Sequence, residues 1–180
     1  MSEKLEEELK ELQEIYKFVD LSYKKLDDLV EIAIGELKPY LWKKTDYLLT
    51  LSGFGAGVGK PVDDKIKGIF GMNFIDRSSK KEIFTPNIPI EIDKKDVIEK
   101  AKELGIPDDI IDKMLKGDPR PSFDWYLHRL LTNIANMVIA EKFRENPKFF
   151  EEMYERVASV SDDIKELMKS RAKKKLEEVS

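Results

Sequence analysis

The stretch LEEELKELQEIYKFVDLSYKKLDDLVEIAIGEL, residues 5–37, decides how this chain is read. Within it Leu5, Leu9, Leu12, Tyr16, Val19, Tyr23, Leu26, Val30, Ala33 and Leu37 recur in steps of four and three. That spacing is a heptad. Sustained over about five repeats, it predicts one long helix with an apolar seam turned to a partner. Ile15, Phe18, Leu29 and Ile32 form a second stripe, so the helix is expected to bury against more than one neighbour. Pro39 lacks an amide hydrogen and crowds the preceding turn. It is expected to kink or end the helix, with a second helix running from there to about Leu51.

The next segment, Ser52-Gly53-Phe54-Gly55-Ala56-Gly57-Val58-Gly59-Lys60-Pro61, has glycine at every second position. Each glycine costs a helix about 1 kcal/mol against alanine, so the segment reads as a loop or hinge over residues 53–60. Pro61 then suits the first position of a short helix, with Asp63 and Asp64 in its first turn. From Ile69 to Ile92 the periodicity changes. Ile69, Phe70, Phe74 and Ile75 precede the turn-like Asp76-Arg77-Ser78-Ser79-Lys80, and Ile83 and Phe84 follow it. This predicts one small β-hairpin, with Pro86 and Pro89 flanking a short edge piece. Residues 93–117 read as a short helix pair, capped at Asp93, stopped at Gly105, reopened at Pro107 and closed at Gly117.

After the rigid linker Asp118-Pro119-Arg120-Pro121 comes the most apolar helix, running from Ser122 to Arg144. Phe123, Leu127, Leu130, Leu131, Ile134, Val138, Ile139 and Phe143 leave it little polar face, so it is expected at the centre of the core. Phe150, Met153, Val157, Val160, Ile164 and Leu167 make a further stripe, with a restart at Ser161. The expected fold is therefore mainly α, a single domain of 180 residues. It is a helical bundle built on a long N-terminal heptad helix and a buried central helix, with one small β-hairpin insertion.

Composition narrows the classes of function. There is no cysteine, which removes disulfides, thiol nucleophiles and cysteine-ligated metal centres. Charged residues make up 38 %, mostly Lys and Glu, with glutamine nearly absent, the pattern of heat-adapted proteins. The net charge of −4 disfavours a general nucleic-acid binder. No apolar run approaches the roughly 20 residues of a membrane span and no signal peptide precedes the helix, so a cytoplasmic protein is expected.

The glycine segment invites a phosphate-binding reading through Gly55, Gly57, Gly59 and Lys60. The spacing departs from the known pattern: a Walker loop needs glycine where Phe54 stands, and Ser or Thr where Pro61 stands. His128, the one histidine, lies four residues after Asp124, so the two share a helix face like the rear half of a general-base arrangement. No nucleophile motif accompanies them. No Glu-x-x-His pair supports a di-metal site, and the acidic groups serve helix starts and solvated faces, so no metal or other cofactor is expected. Lys169, Arg171, Lys173, Lys174 and Lys175 could touch nucleic acid, but cations at a helix C-terminus also stabilise the helix itself. Residues 107–116 carry Asp108, Asp109 and Asp112, which a DNA groove would repel. Arg120-Pro121, Asp124-Trp125-Tyr126 and Arg129 resemble the stretch before a core helix in an archaeal and eukaryotic ribosomal protein family. The likeness covers this short stretch alone and implies no function.

Function is left with three candidates. The first is a non-enzymatic interaction or assembly protein, pairing with a partner protein or with itself through the heptad seam. The second is a nucleic-acid-associated accessory protein using the lysine-rich C-terminal helix. The third is a small ligand-binding protein or enzyme with a pocket near the glycine segment.

Overall fold

The computed structural model describes residues 2–179. In chain order the elements are α1 (Glu3–Lys44), β1 (Leu49–Val58), β2 (Lys65–Asp76), β3 (Glu82–Phe84), β4 (Ile88–Asp93), α2 (Lys94–Glu103), α3 (Asp108–Lys116), α4 (Pro121–Glu145), α5 (Pro147–Val160) and α6 (Asp162–Val179). The mainly helical class holds. The insertion is larger than the expected hairpin: four strands form one antiparallel sheet in the order β1-β2-β3, with β4 also paired to β2.

Two local expectations fail for identifiable reasons. Pro39 lies inside α1 and does not end it. The hydrogen bond it forgoes would have gone to Gly35, on the solvent side of the helix, while Leu37 and Leu41 on the opposite side are buried and hold the helix together. The helix runs on to Lys44 and is followed by Asp46 and Tyr47, both with positive φ, and Leu49 already belongs to a strand rather than to a second helix. The glycine segment is likewise no loop: Gly53, Gly55 and Gly57 lie within β1. A two-residue alternation is unsuited to a helix but native to a strand, where it sets the glycines on one face and Phe54, Ala56 and Val58 on the other. Nor does a helix follow Pro61. Val62 pairs with Lys65 across a tight turn in which Asp63 takes φ 55°, a conformation aspartate tolerates.

The chain divides into two compact units. The first comprises residues 1–31, 56–69 and 89–141. Its core combines Ile15 and Val19 of α1, Val58, Ile66 and Ile92 of the sheet, Val97 and Ala101 of α2, Ile110 and Met114 of α3, and Leu127, Leu130, Leu131 and Ile134 of α4. Two asparagines interrupt this apolar packing. The Asn133 amide donates to the Ser22 hydroxyl at 3.0 Å, and that hydroxyl donates to the Val19 carbonyl. Asn136 accepts from the Ala56 amide at 2.8 Å and donates back to the Ala56 carbonyl at 2.9 Å. Because β1 ends the strand order, this side chain supplies partners for an edge backbone that has no further strand beside it.

A second polar cluster ties the linker before α4 to α1 and α3. The Arg120 guanidinium donates to Asp118 at 2.7 and 2.9 Å and to both oxygens of Glu11 at 3.2 Å, and lies 3.5 Å above the Phe123 ring. Lys113 completes the cluster by pairing with Glu11. The Asp118 side chain is only 5 % exposed, and its hydrogen bond from Arg120 holds the carboxyl down at about 2. Because the native value is depressed below the unfolded one, the stabilisation is complete above pH 4 or so and is lost as pH falls toward 2. It is on the order of 2 kcal/mol. Arg120→Ala should remove it and flatten this part of the acid-unfolding curve. An unchanged acid limb in the variant would refute this account.

The second unit comprises residues 32–55, 70–88 and 142–180. Phe143 is fully buried at its centre, with Phe54, Phe70, Phe149 and Phe150 at ring distances of 5.0, 5.7, 5.3 and 5.4 Å. The β2–β3 hairpin pairs Asn73 with Phe84 and Ile75 with Glu82. Its turn is held by Asp76, whose carboxylate accepts from the Ser78 amide and from the hydroxyls of Ser78 and Ser79. Asn146 caps α5 by accepting from the Lys148 amide, with Pro147 beginning the helix. Ser161 restarts the chain as α6 by accepting from the Ile164 amide. Tyr40 donates to Glu151 at 2.6 Å, and Lys44 lies between Glu151 and Glu155.

Candidate functional site

The heptad seam of α1 is split in the first unit. Val19 of one apolar row is buried and Leu12 and Leu26 are partly covered, on the side that carries Ile15 and Ser22. The neighbouring row stays in solvent: Leu9 is 43 % exposed and Tyr16 and Tyr23 are 55 % exposed, while Leu5, at the head of the row of Leu12 and Val19, is 44 % exposed. The fold therefore uses one flank of the seam and leaves the other uncovered. Asp20 stands in the same region, one helical turn beyond Tyr16 and paired with Lys24 at 3.0 Å.

On the α4 side Trp125 is also 55 % exposed. It enters a cleft of about 370 Å³ lined by Tyr16, Val19, Asp20 and Tyr23 from α1 and by Trp125, Tyr126 and Arg129 from α4. Tyr16 and Tyr126 meet edge to face at 5.7 Å, and Trp125 and Tyr126 do so at 4.9 Å. The rings thus present walls at right angles. The Arg129 guanidinium lies 4.9 Å above the Trp125 ring. Spacings of four and seven along α1, and of four along α4, bring these residues to one side of each helix. Tyr16 and Tyr23 lie in the heptad seam and Trp125 and Arg129 flank His128 along the chain, but nothing local in the sequence signals that the two helices set them together.

The residues singled out from sequence are distributed differently. Gly55 and Gly57 belong to β1, and the Gly59 amide donates to the Lys67 carbonyl at 3.0 Å, so it is engaged by the protein's own backbone. Lys60 pairs with Asp124 at 3.1 Å above Gly117, where any side chain would collide with the lysine. Asp124 accepts first from the Asp118 amide at 3.0 Å and next from Lys60, and these bonds hold its carboxyl below the usual range. His128 sits half-buried one turn on and adds a smaller effect through its charge. Glycine segment and polar pair are thus linked, through Lys60 and Asp124.

In the basic tail, Lys175 pairs with Asp46, Arg171 lies 3.8 Å from the same carboxylate, and Lys169, Lys173 and Lys174 are exposed. Among the described residues no group of three or more His, Cys, Asp or Glu side chains could hold a metal ion, and no helix is long and apolar enough to cross a membrane. Comparison of the chain with protein-family models, curated proteins and solved structures gives no match.

Proposed function

We propose that the protein is a non-enzymatic assembly protein that associates with a second copy of itself along the exposed flank of α1. The observation that carries this reading is the uncovered row Leu9, Tyr16 and Tyr23, with Leu5 exposed one turn before it. These are large apolar and aromatic side chains at heptad spacing, a pattern suited to pairing with another helix. In a symmetric dimer the same row would meet its own copy.

Sedimentation velocity over a concentration series tests it. The wild-type chain should dimerise. The double variant Leu5→Glu with Leu9→Glu should weaken association by roughly 100-fold, since each charge would be forced against an apolar surface. Its far-UV circular dichroism should stay unchanged, because neither side chain belongs to the buried core. A wild-type chain that remains monomeric at about 0.1 mM, ten times a 10 μM dissociation constant, would defeat the proposal.

A further inference from the structure

The cleft between Tyr16, Tyr23, Trp125 and Tyr126 has a chemistry that helix pairing leaves unexplained. Three tyrosines and a tryptophan line it together with one carboxylate, Asp20, and one guanidinium, Arg129. Aromatic faces carry partial negative charge and attract large, weakly hydrated cations. The protein already uses this property, since Arg129 stands over Trp125 at 4.9 Å. Perpendicular pairs, Tyr16 against Tyr126 at 89° and Trp125 against Tyr126 at 84°, offer a methylated ammonium more than one wall. Asp20, paired with Lys24 at 3.0 Å, sets a carboxylate at the α1 side of the cleft, and Arg129 places a positive charge on the α4 side.

A simple cation would be attracted by the rings and repelled by Arg129. A simple anion would suit Arg129 and be repelled by Asp20 and the ring faces. The ligand that satisfies both sides carries both charges. We propose that this cleft binds a small zwitterion, a quaternary ammonium joined by a short link to an oxyanion, with the ammonium against the aromatic rings and the oxyanion on Arg129. Two sources share this chemistry: a free betaine-type solute and a phosphocholine headgroup. The proposal stands on Trp125 and Arg129 of α4, but Tyr16 and Tyr23 belong also to the association row, so a dimer paired along that row and the ligand would compete for the same rings.

The test follows the two indole N–H resonances of the full chain, Trp42 and Trp125, during titration. Glycine betaine or phosphocholine should shift the Trp125 signal and leave Trp42 in place. Choline should bind about tenfold tighter than 3,3-dimethylbutanol, its neutral carbon isostere, because the ammonium charge contributes beyond apolar contact. Trp125→Ala, followed by isothermal titration calorimetry because it lacks the reporting indole, should abolish binding. Arg129→Gln should lower the affinity for the zwitterions to that for tetramethylammonium, without weakening tetramethylammonium itself. The Leu5→Glu, Leu9→Glu variant, whose row is unpaired, should bind the zwitterion at least as tightly as the wild type, and loss of the shift in that variant would count against the cleft.

Phosphatidylcholine vesicles divide the sources. Co-sedimentation that Trp125→Ala removes points to the lipid headgroup, and binding of free betaine without vesicle binding points to the solute. The proposal is overturned if the neutral isostere binds equally well, if Arg129→Gln changes nothing, or if roughly 50 mM zwitterion, well past a millimolar dissociation constant, leaves Trp125 unmoved.

Discussion

Phe143→Ala is expected to destabilise the protein by about 3–5 kcal/mol, the range for removing a large aromatic from a packed core. Phe143 has no exposed surface, and four rings of its own unit surround it within 5.7 Å. Truncation would strip edge-to-face contacts from Phe54, Phe70 and Phe150 and a tilted contact from Phe149, and leave a void that they could fill only by leaving their rotamers. For a chain of this length the loss should appear as a fall of roughly 10 °C in melting temperature. Phe143→Leu, which keeps most of the volume, should cost about half as much or less. If the two variants melt together, the aromatic cluster contributes little beyond its bulk.

Asn136→Leu is the second large effect, although leucine adds an apolar side chain to an apolar helix. The substitution removes the acceptor for the Ala56 amide and the donor for the Ala56 carbonyl, both buried. Each group would lose its partner out of reach of water, at about 1–3 kcal/mol apiece, so a total near 3 kcal/mol is expected. Asn136→Asp separates the two halves of the pairing. The carboxylate keeps the acceptor for Ala56 but loses the donor and gains charge, so its deficit should shrink at low pH as the carboxyl takes up a proton and can donate again. Chemical denaturation of the three chains at neutral and acidic pH would show the pattern. A leucine variant as stable as the wild type would mean that the amide pair adds nothing to the fold.

These effects also show which parts of the structure could be read in advance. α1 was legible because Ile15, Val19, Ala33 and Leu37 repeat with the helix, and repetition survives without knowledge of the partner. The burial of α4 was legible for the same reason. β1 was misread because its glycines argue strongly against a helix, and the step from there to a loop ignored that Leu49, Leu51, Ala56 and Val58 supply buried side chains between and before them. The roles of Asn133 and Asn136 had no local sign, since their partners Val19, Ser22 and Ala56 lie 80 or more residues away. The aromatic cleft escaped for a similar reason. Tyr16 and Trp125 are ordinary members of their own helices, and only the packing of α1 on α4 within the first unit turns them into one surface. His128 drew attention through its rarity, whereas Asp124 bonds first to the Asp118 backbone and to Lys60.

The Asn136–Ala56 pairing has a consequence for how the chain behaves in company. β1 carries no charged side chain and three glycines over ten residues, and it lies at the end of the strand order. An uncharged border strand of that kind is the place where another chain could add itself in register and begin a fibril. An amide head seated on the Ala56 backbone interrupts that template near its C-terminal end, because an incoming strand would find this rung already taken. The same two hydrogen bonds that join α4 to β1 thus occupy backbone groups that an incoming strand would need.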